Sequence, residues 1–392
     1  MKRLFLFGLI LSSSASAQFD LNLGRLIQGT WVFHSGQQLA TNAYKIVFRG
    51  DASCELVMSE GSGECRWSVR DREISIDMEQ AIQLSGFTNA VNPTTGELVE
   101  AEYEGRIEAF TLSLEKFDFI QPSWKITYDE IRNYPQNPEL PSEVIESFDP
   151  PKLVAQRYKS LRPFKQTGLL AMNLAVGTGN FGGVIRINDD QSASMEAGFI
   201  GLEQKALFWS QTEAGLMLSY SPGESSVFRV LNDRRLGTYV LAEINQLGKK
   251  SVQTSFIGQV DEALWKEQQL SQDEFMGTWV FDSNEPYQYT FGENGFYSMG
   301  DPTEEPAFFA EGTWRVEKNK LAAYRYWESE TGTSLSADDA KLCLSEEIDC
   351  ELFQSRTYRI LNRRDDQILV LRELYVPWFD SSSNFVHTFV RL

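Results

Sequence analysis

The chain is poor in the residues from which most active sites are built. Its 392 residues include two histidines, His34 and His387, and four cysteines. A His-dependent hydrolase needs one of those histidines beside a nucleophile and an orienting acid, and no G-x-S-x-G elbow occurs. Zinc needs four Cys or His ligands to converge, and here the cysteines fall far apart as Cys54/Cys65 and Cys343/Cys350. Basic runs are also missing. The chain carries 36 Lys and Arg against 55 Asp and Glu, a net charge of -19, so its surface repels nucleic-acid phosphates and anionic lipid head groups. Arg234-Arg235 and Arg363-Arg364 sit beside Asp233 and Asp365-Asp366 and read as solvated turns. Beyond Leu4 to Leu11 no stretch is strongly apolar. That run falls short of the roughly 20 residues that span a bilayer. The expectation is no catalytic site, no metal, no cofactor, no nucleic-acid partner and no membrane span.

What the chain does contain is repetition. Gly29-Thr30-Trp31-Val32-Phe33 recurs as Gly277-Thr278-Trp279-Val280-Phe281, and a Trp-containing pentapeptide seldom repeats by chance. After each copy come strand, tight turn and strand: Tyr44 to Phe48, Arg49-Gly50-Asp51, Cys54 to Met58 in the first, and Tyr289-Thr290-Phe291, Gly292 to Gly295, Phe296 to Met299 in the last. Trp67 and Trp314 then fall in register. A worn third copy lies between. There Val184 to Ile187 leads through a polar turn to Ala193-Ser194-Met195, Gly198 to Leu207 aligns with Gly312 to Leu321, and Val227 to Asn232 aligns with Thr357 to Asn362.

These repeats give the expected organisation. Residues 1–17 read as a secretory signal, with Lys2 and Arg3, the apolar run, and an A-x-A site at Ala15-Ser16-Ala17 without a lipid-anchoring cysteine. Residues 18–132 form the first repeat. Residues 133–166 read as a proline-rich linker with a short helix over Leu153 to Leu161. Residues 167–260 form the degenerate repeat, 261–274 a short helical linker, and 275–392 the last repeat. In a protein exported to the periplasm or beyond, the close Cys54/Cys65 and Cys343/Cys350 pairs are expected to form local disulfides.

A G-x-W on the first strand, after a helical turn and before a string of antiparallel strands, resembles the lipocalin-like (calycin) superfamily. The resemblance implies an all-β chain of three tandem eight-stranded antiparallel barrels, with β-sandwich repeats as the alternative. It implies that Trp31 and Trp279 plug closed barrel ends. It also makes Arg391, on the last strand, the partner of Trp279. The middle repeat lacks both members of that pair. In the first repeat the matching arginine is ambiguous, with Arg132 the closest candidate.

Candidate chemistry is sparse. Gly177 to Gly182 matches G-x-G-x-x-G, but a strand follows it where a dinucleotide site needs a helix. His34 is expected at a rim or the surface, and His387 inside a barrel or at its mouth. The acidic stretch Asp338-Asp339 to Glu351 reads as a solvated loop pinned by Cys343/Cys350, and it lacks the alternating carboxylates of a calcium loop. The last repeat is rich in aromatics, with Trp378-Phe379 placed to line a mouth or an interaction patch. The expected function is an exported, non-catalytic binding protein that takes a small apolar ligand in the first or third barrel, or an envelope-protein partner. A spacer of filled barrels is the alternative, and an enzyme with an unrecognised carboxylate pair comes third.

Overall fold

The computed structural model describes residues 20, 22–35, 43–116, 123–148, 153–176, 179–199, 207–267, 271–281, 287–303, 308–317, 320–328, 333–345, 348–377 and 381–392. It is an all-β chain of three tandem, closed, eight-stranded antiparallel barrels. The signal expected at 1–17 lies outside the described residues, as do Trp378 and Phe379. Among the described residues no helix is long and apolar enough to cross a membrane.

Barrel 1 is built from β1 (Gly29–His34), β2 (Ala43–Phe48), β3 (Ser53–Val57), β4 (Ser62–Arg70), β5 (Glu73–Val91), β6 (Leu98–Lys116), β7 (Ser123–Asn133) and β9 (Leu153–Arg157), with β8 (Glu143–Phe148) added outside β7. Barrel 2 uses β11 (Gly168–Val176), β12 (Gly179–Ile187), β13 (Ser192–Gly198), β14 (Leu207–Gln211), β15 (Leu216–Ser221), β16 (Glu224–Arg234), β17 (Gly237–Gln246) and β18 (Lys249–Gln259), with the short β10 (Arg162–Pro163) on the edge of β16. Barrel 3 follows the short helix α1 (Glu262–Glu267). It closes through β19 (Gly277–Phe281), β20 (Gln288–Phe291), β21 (Phe296–Asp301), β22 (Phe308–Glu317), β23 (Lys320–Glu328), β24 (Cys350–Arg364), β25 (Gln367–Val376) and β26 (Ser381–Arg391). A second helix, α2 (Ala337–Leu344), stands between β23 and β24. Two compact units result. The first holds barrel 1 and residues 243–253; the second holds 162–242 and 254–392.

The stretch 133–166 is not a linker. It supplies β8 and β9, and β9 pairs with both β1 and β7 to close barrel 1. Its prolines do not interrupt a ladder: Pro135, Pro138 and Pro141 lie between β7 and β8, and Pro163 lies on an edge strand, where a missing N–H costs nothing. Leu153 to Leu161 is strand followed by a 3-10 turn at Tyr158–Ser160, not a helix. Leu153 and Ala155 are buried with a period of two, as a strand requires.

One local device recurs in all three barrels. The turn between the second and third strands closes with a backbone bond from Arg49 N to Ser53 O, from Asn188 N to Ser192 O, and from Gly292 N to Phe296 O. A tryptophan on the fourth strand donates its indole N–H into that turn: Trp67 to Arg49 O at 3.1 Å, Trp209 to Asn188 O at 2.6 Å, and Trp314 to Gly292 O at 2.9 Å. Trp209 is therefore the middle copy of Trp314. The alignment of Gly198–Leu207 with Gly312–Leu321 is out of register, because Gly198 ends the third strand of barrel 2 rather than entering the fourth.

Within the second unit, barrels 2 and 3 pack wall to wall. The carboxamide of Asn173 donates to Val386 O (3.0 Å) and accepts from Val386 N (2.8 Å), so it stands in for a neighbouring strand along β26. Ser255 Oγ donates to Asn173 O at 2.7 Å. Gly182 leaves room for this approach, since a Cβ there would lie 2.4 Å from Phe385 Cα. The register of β26 inside barrel 3 is thus held from outside by two directional bonds.

Candidate functional site

The closed ends of barrels 1 and 3 are built alike. Trp279 pairs across the ladder with Arg391, whose guanidinium lies 4.7 Å from the indole centroid. Arg391 Nη2 also donates to Glu274 O and Met276 O, and Trp279 Nε1 donates to Phe275 O. In barrel 1 the arginine over Trp31 is Arg157, 4.6 Å from the centroid, and Trp31 Nε1 donates to Ile27 O. Arg132, the sequence candidate for that place, instead forms a two-point ion pair with buried Glu130 and covers the Tyr103 ring. The error follows from the linker reading, which removed β9 and with it Arg157. Gly29 and Gly277 have φ of 111° and 128°, and a Cβ at either would touch the arginine at 3.4 and 3.6 Å. The glycine of G-x-W thus serves both backbone and stacked cation. Gly168 opens barrel 2 with φ 90° and nothing nearby, beside Leu170 paired with Gln259. The middle copy keeps the backbone signature and lacks the plug.

Away from the plug the two barrels diverge. Barrel 1 is filled by Phe33, Tyr44, Ile46, Leu56, Ile76 and Phe110 among other buried apolar side chains, with Cys54 and Cys65 paired inside its wall. Barrel 3 has an apolar floor of Trp279, Phe291, Trp314, Leu321, Ile360 and Phe389. Above that floor it becomes polar. Arg325 on β23, Arg356 on β24, Arg372 on β25 and His387 on β26 occupy diagonal positions on four successive strands, a spacing that long side chains bridge. The tyrosines 289, 297 and 358 line the same interior.

Arg356 shows how far the layer reaches. From β24 it donates to Met299 Sδ on β21 at 2.7 Å and lies 5.8 Å from the Tyr289 ring on β20. Its Nε, the Nε of Arg325, and the hydroxyls of Tyr297 and Tyr358 have no hydrogen-bond partner among the described residues. Tyr297 and Tyr358 lie close enough to interact with one another and with Arg356. Among the described residues no carboxylate forms an ion pair with Arg325 or Arg356. Burial, and after it the charge of Arg356, holds the Arg325 guanidinium below its ordinary pKa. Burial likewise lowers Arg372. His387 is held well below the usual imidazole value by burial first, then by Arg372 and Arg356, so it is neutral at pH 7. Burial pushes the Tyr297 phenol up. Arg325 is half-buried and stacks toward Phe353, which packs on Trp327, so aromatics border the charged layer.

The other sequence candidates fall elsewhere. Cys54 faces Cys65 across β3 and β4, and Cys343 on α2 meets Cys350 at the start of β24; both pairs are disulfides. His34 is buried rather than at a rim, with neither ring nitrogen hydrogen-bonded to a described residue. Burial holds its pKa down to about 4. The acidic stretch read as a loop carries α2, which Ser336 caps by accepting from Asp339 N. Asp338 and Asp339 lie in its first turn, where negative charge suits the helix dipole. The Gly-rich segment 177–182 leads into β12, with no helix behind it. Among the described residues no group of three or more His, Cys, Asp or Glu could hold a metal. Two clefts, of 320 Å³ beside Glu373 and 220 Å³ beside Tyr326 and Lys341, do not include the arginine layer.

The arginine layer carries none of the histidine, carboxylate or aromatic patterns that mark common sites in a sequence. Its signal is parity. In Gln354-Ser355-Arg356-Thr357-Tyr358-Arg359-Ile360, the even positions share the face of the core residues Tyr358 and Ile360. No family model matches this chain, and no curated protein matches its sequence.

Proposed function

We propose that the chain is an exported, non-catalytic binding protein of lipocalin-like barrels, whose third barrel takes a small amphiphile by an acidic head group. The observation that supports this most strongly is the pair Arg325 and Arg356, cations in a barrel interior without a carboxylate partner among the described residues. An uncompensated buried charge costs several kcal/mol. Arg356 is such a charge, half-buried Arg325 lies diagonally across the ladder from it, and an anion would offset both. The expected ligand therefore shifts from a wholly apolar molecule to an anionic one, and from either end barrel to the third alone. Two disulfides support folding in an oxidising compartment outside the cytoplasm.

A second reading covers the other barrels. The packed interior of barrel 1 and the Asn173 latch from barrel 2 onto β26 favour a supporting role for both.

The test is a fluorescence titration with two dyes of similar shape, anionic anilinonaphthalene sulfonate and neutral N-phenyl-1-naphthylamine. The expected result is saturable one-site binding of the anionic dye, at least tenfold tighter than the neutral one, and lost in Arg356→Met. No saturable binding, or binding unaffected by Arg356→Met, overturns the reading.

A further inference from the structure

We propose that the anion taken by the third barrel is a doubly charged phosphate monoester rather than a monocarboxylate, its phosphate seated between Arg325 and Arg356. This rests on the reading of barrel 3 as an anion-binding chamber and names the ligand's chemical class.

The first argument is charge. Arg325 and Arg356 bring two positive charges without a described carboxylate partner, and Arg372 adds a third guanidinium two residues along the next strand's register. A carboxylate neutralises one of these. A phosphate monoester carries about -1.5 to -2 at pH 7 and neutralises the pair. His387 adds no charge, since burial, Arg372 and Arg356 all disfavour its protonated form.

The second argument is the count of donors. Arg356 Nε and Arg325 Nε are without acceptors, and Gln354, opposite Arg325 across the ladder, leaves its Oε1 unpartnered. The two arginines come from adjacent strands, β23 and β24, at diagonal positions of the ladder. A carboxylate presents two oxygens in one plane. A phosphate monoester presents three terminal oxygens in a tripod, and guanidinium groups pair with it through two parallel bonds. Two guanidinium groups on adjacent strands can each take oxygens of the tripod, whereas the planar carboxylate offers one edge.

The third argument is the border of the layer. Below it the floor is closed by packed apolar side chains. On the Arg325 side lie Phe353 and Trp327, with ring centroids 4.8 Å apart. The organic part of an ester would extend over these groups while its phosphate sits inward. The strongly acidic outer surface then acts as a filter: it weakens loose binding of anions anywhere but in the one chamber that is positive.

Isothermal titration of the purified protein with octyl phosphate, octanoate and inorganic phosphate tests the assignment. At pH 7.5 octyl phosphate is expected to bind one-to-one and at least tenfold tighter than octanoate. Its affinity should fall about tenfold from pH 7.5 to 5, as the phosphate regains its second proton, while octanoate changes little. Over that range Arg325, Arg356 and Arg372 stay charged, burial, Arg372 and Arg356 oppose protonation of His387, and burial keeps the Tyr297 phenol protonated. The preference should collapse in Arg356→Met and, as a second variant, in Arg325→Gln, each checked for a native near-ultraviolet circular dichroism spectrum. Inorganic phosphate binding as tightly as octyl phosphate would identify free phosphate as the source; weaker binding would identify the ester. Octanoate binding as tightly as octyl phosphate, or a pH-independent octyl phosphate affinity, overturns the dianion while leaving an anion chamber. Saturable binding by none of the three overturns the chamber with it.

Discussion

Barrels 1 and 3 share a frame and differ in what fills it. The tryptophan that anchors the fourth strand sets a common register: Trp67 faces Ile76 and Trp314 faces Ala323. From there the ladders run in step. Ile76 faces Phe110, and Ala323 faces Arg356. Leu112 faces Ile126, and Tyr358 faces Arg372. Trp124 faces Leu153, and Val370 faces His387. Arg325 takes the place of Met78, two residues beyond those anchors. In barrel 2 the same steps lead from Trp209 through Leu218 to Ser226, with Tyr220 in the place of Arg325. The positions that are apolar in barrel 1 are thus cationic in barrel 3. The plug and the turn define a closed end that tolerates both contents. What changes is the side chains above it, apolar in barrel 1 and rich in arginine in barrel 3.

The largest expected difference between the barrels lies at the plug. Trp279 is buried and Trp31 only half-buried, so Trp279→Ala should cost barrel 3 about 3–5 kcal/mol and Trp31→Ala distinctly less. Urea unfolding of both variants checks this, and equal losses would break the comparison.

Acid acts next, on both end barrels, since burial holds His34 and His387 below the ordinary imidazole value. His34 has a folded pKa near 4 against 6.5 in the unfolded chain, so between those values the unfolded state binds a proton that the folded state refuses. Stability is therefore full above pH 6.5, falls as pH drops toward 4, and levels off below. The loss should approach about 3 kcal/mol. Unfolding midpoints measured across this window in the wild type and in His34→Leu test it, since the variant should lose this slope.

The disulfides come third. Replacing Cys54 and Cys65 together by alanine should cost barrel 1 about 2–3 kcal/mol through the freed loop. Non-reducing mass spectrometry should show both local bridges, and free thiols at either pair would refute the assignment.

The smallest effect has the opposite sign. Arg356→Met places in barrel 3 the kind of side chain barrel 1 already has. It should raise the stability of the ligand-free protein by about 1–2 kcal/mol, seen as a higher urea midpoint, while abolishing anion binding. A destabilised variant would mean that Arg356 is held by the protein's own groups.

Much of this architecture was legible in the chain. The barrel count followed from a duplicated pentapeptide and from strands at regular spacing, because local turn chemistry and period-two burial are written residue by residue. Arg391 could be matched to Trp279 because both ends of barrel 3 fall at recognisable places. The part that was missed had a physical reason each time. The proline-rich stretch hid β9 because proline composition says nothing about whether a ladder is interrupted. The α2 helix escaped because its caps lie in a stretch whose charge reads as solvent. His34 was placed outside because a polar side chain after a strand is usually wet.

The sequence by itself determined the all-β class, the repeated frame and the local pairing of the cysteines, while the family resemblance pointed to the pairing of Trp279 with Arg391. These depend on neighbours in the chain or on patterns of period two. Only the tertiary structure decided which arginines face inward together, since Arg325, Arg356 and Arg372 lie on separate strands and meet only when the barrel closes. Most arginines in this acidic chain are solvated or paired with nearby carboxylates. Closure buries Arg356 and half-buries Arg325 with no described carboxylate paired to either, and that placement turns an ordinary surface residue type into a candidate binding site.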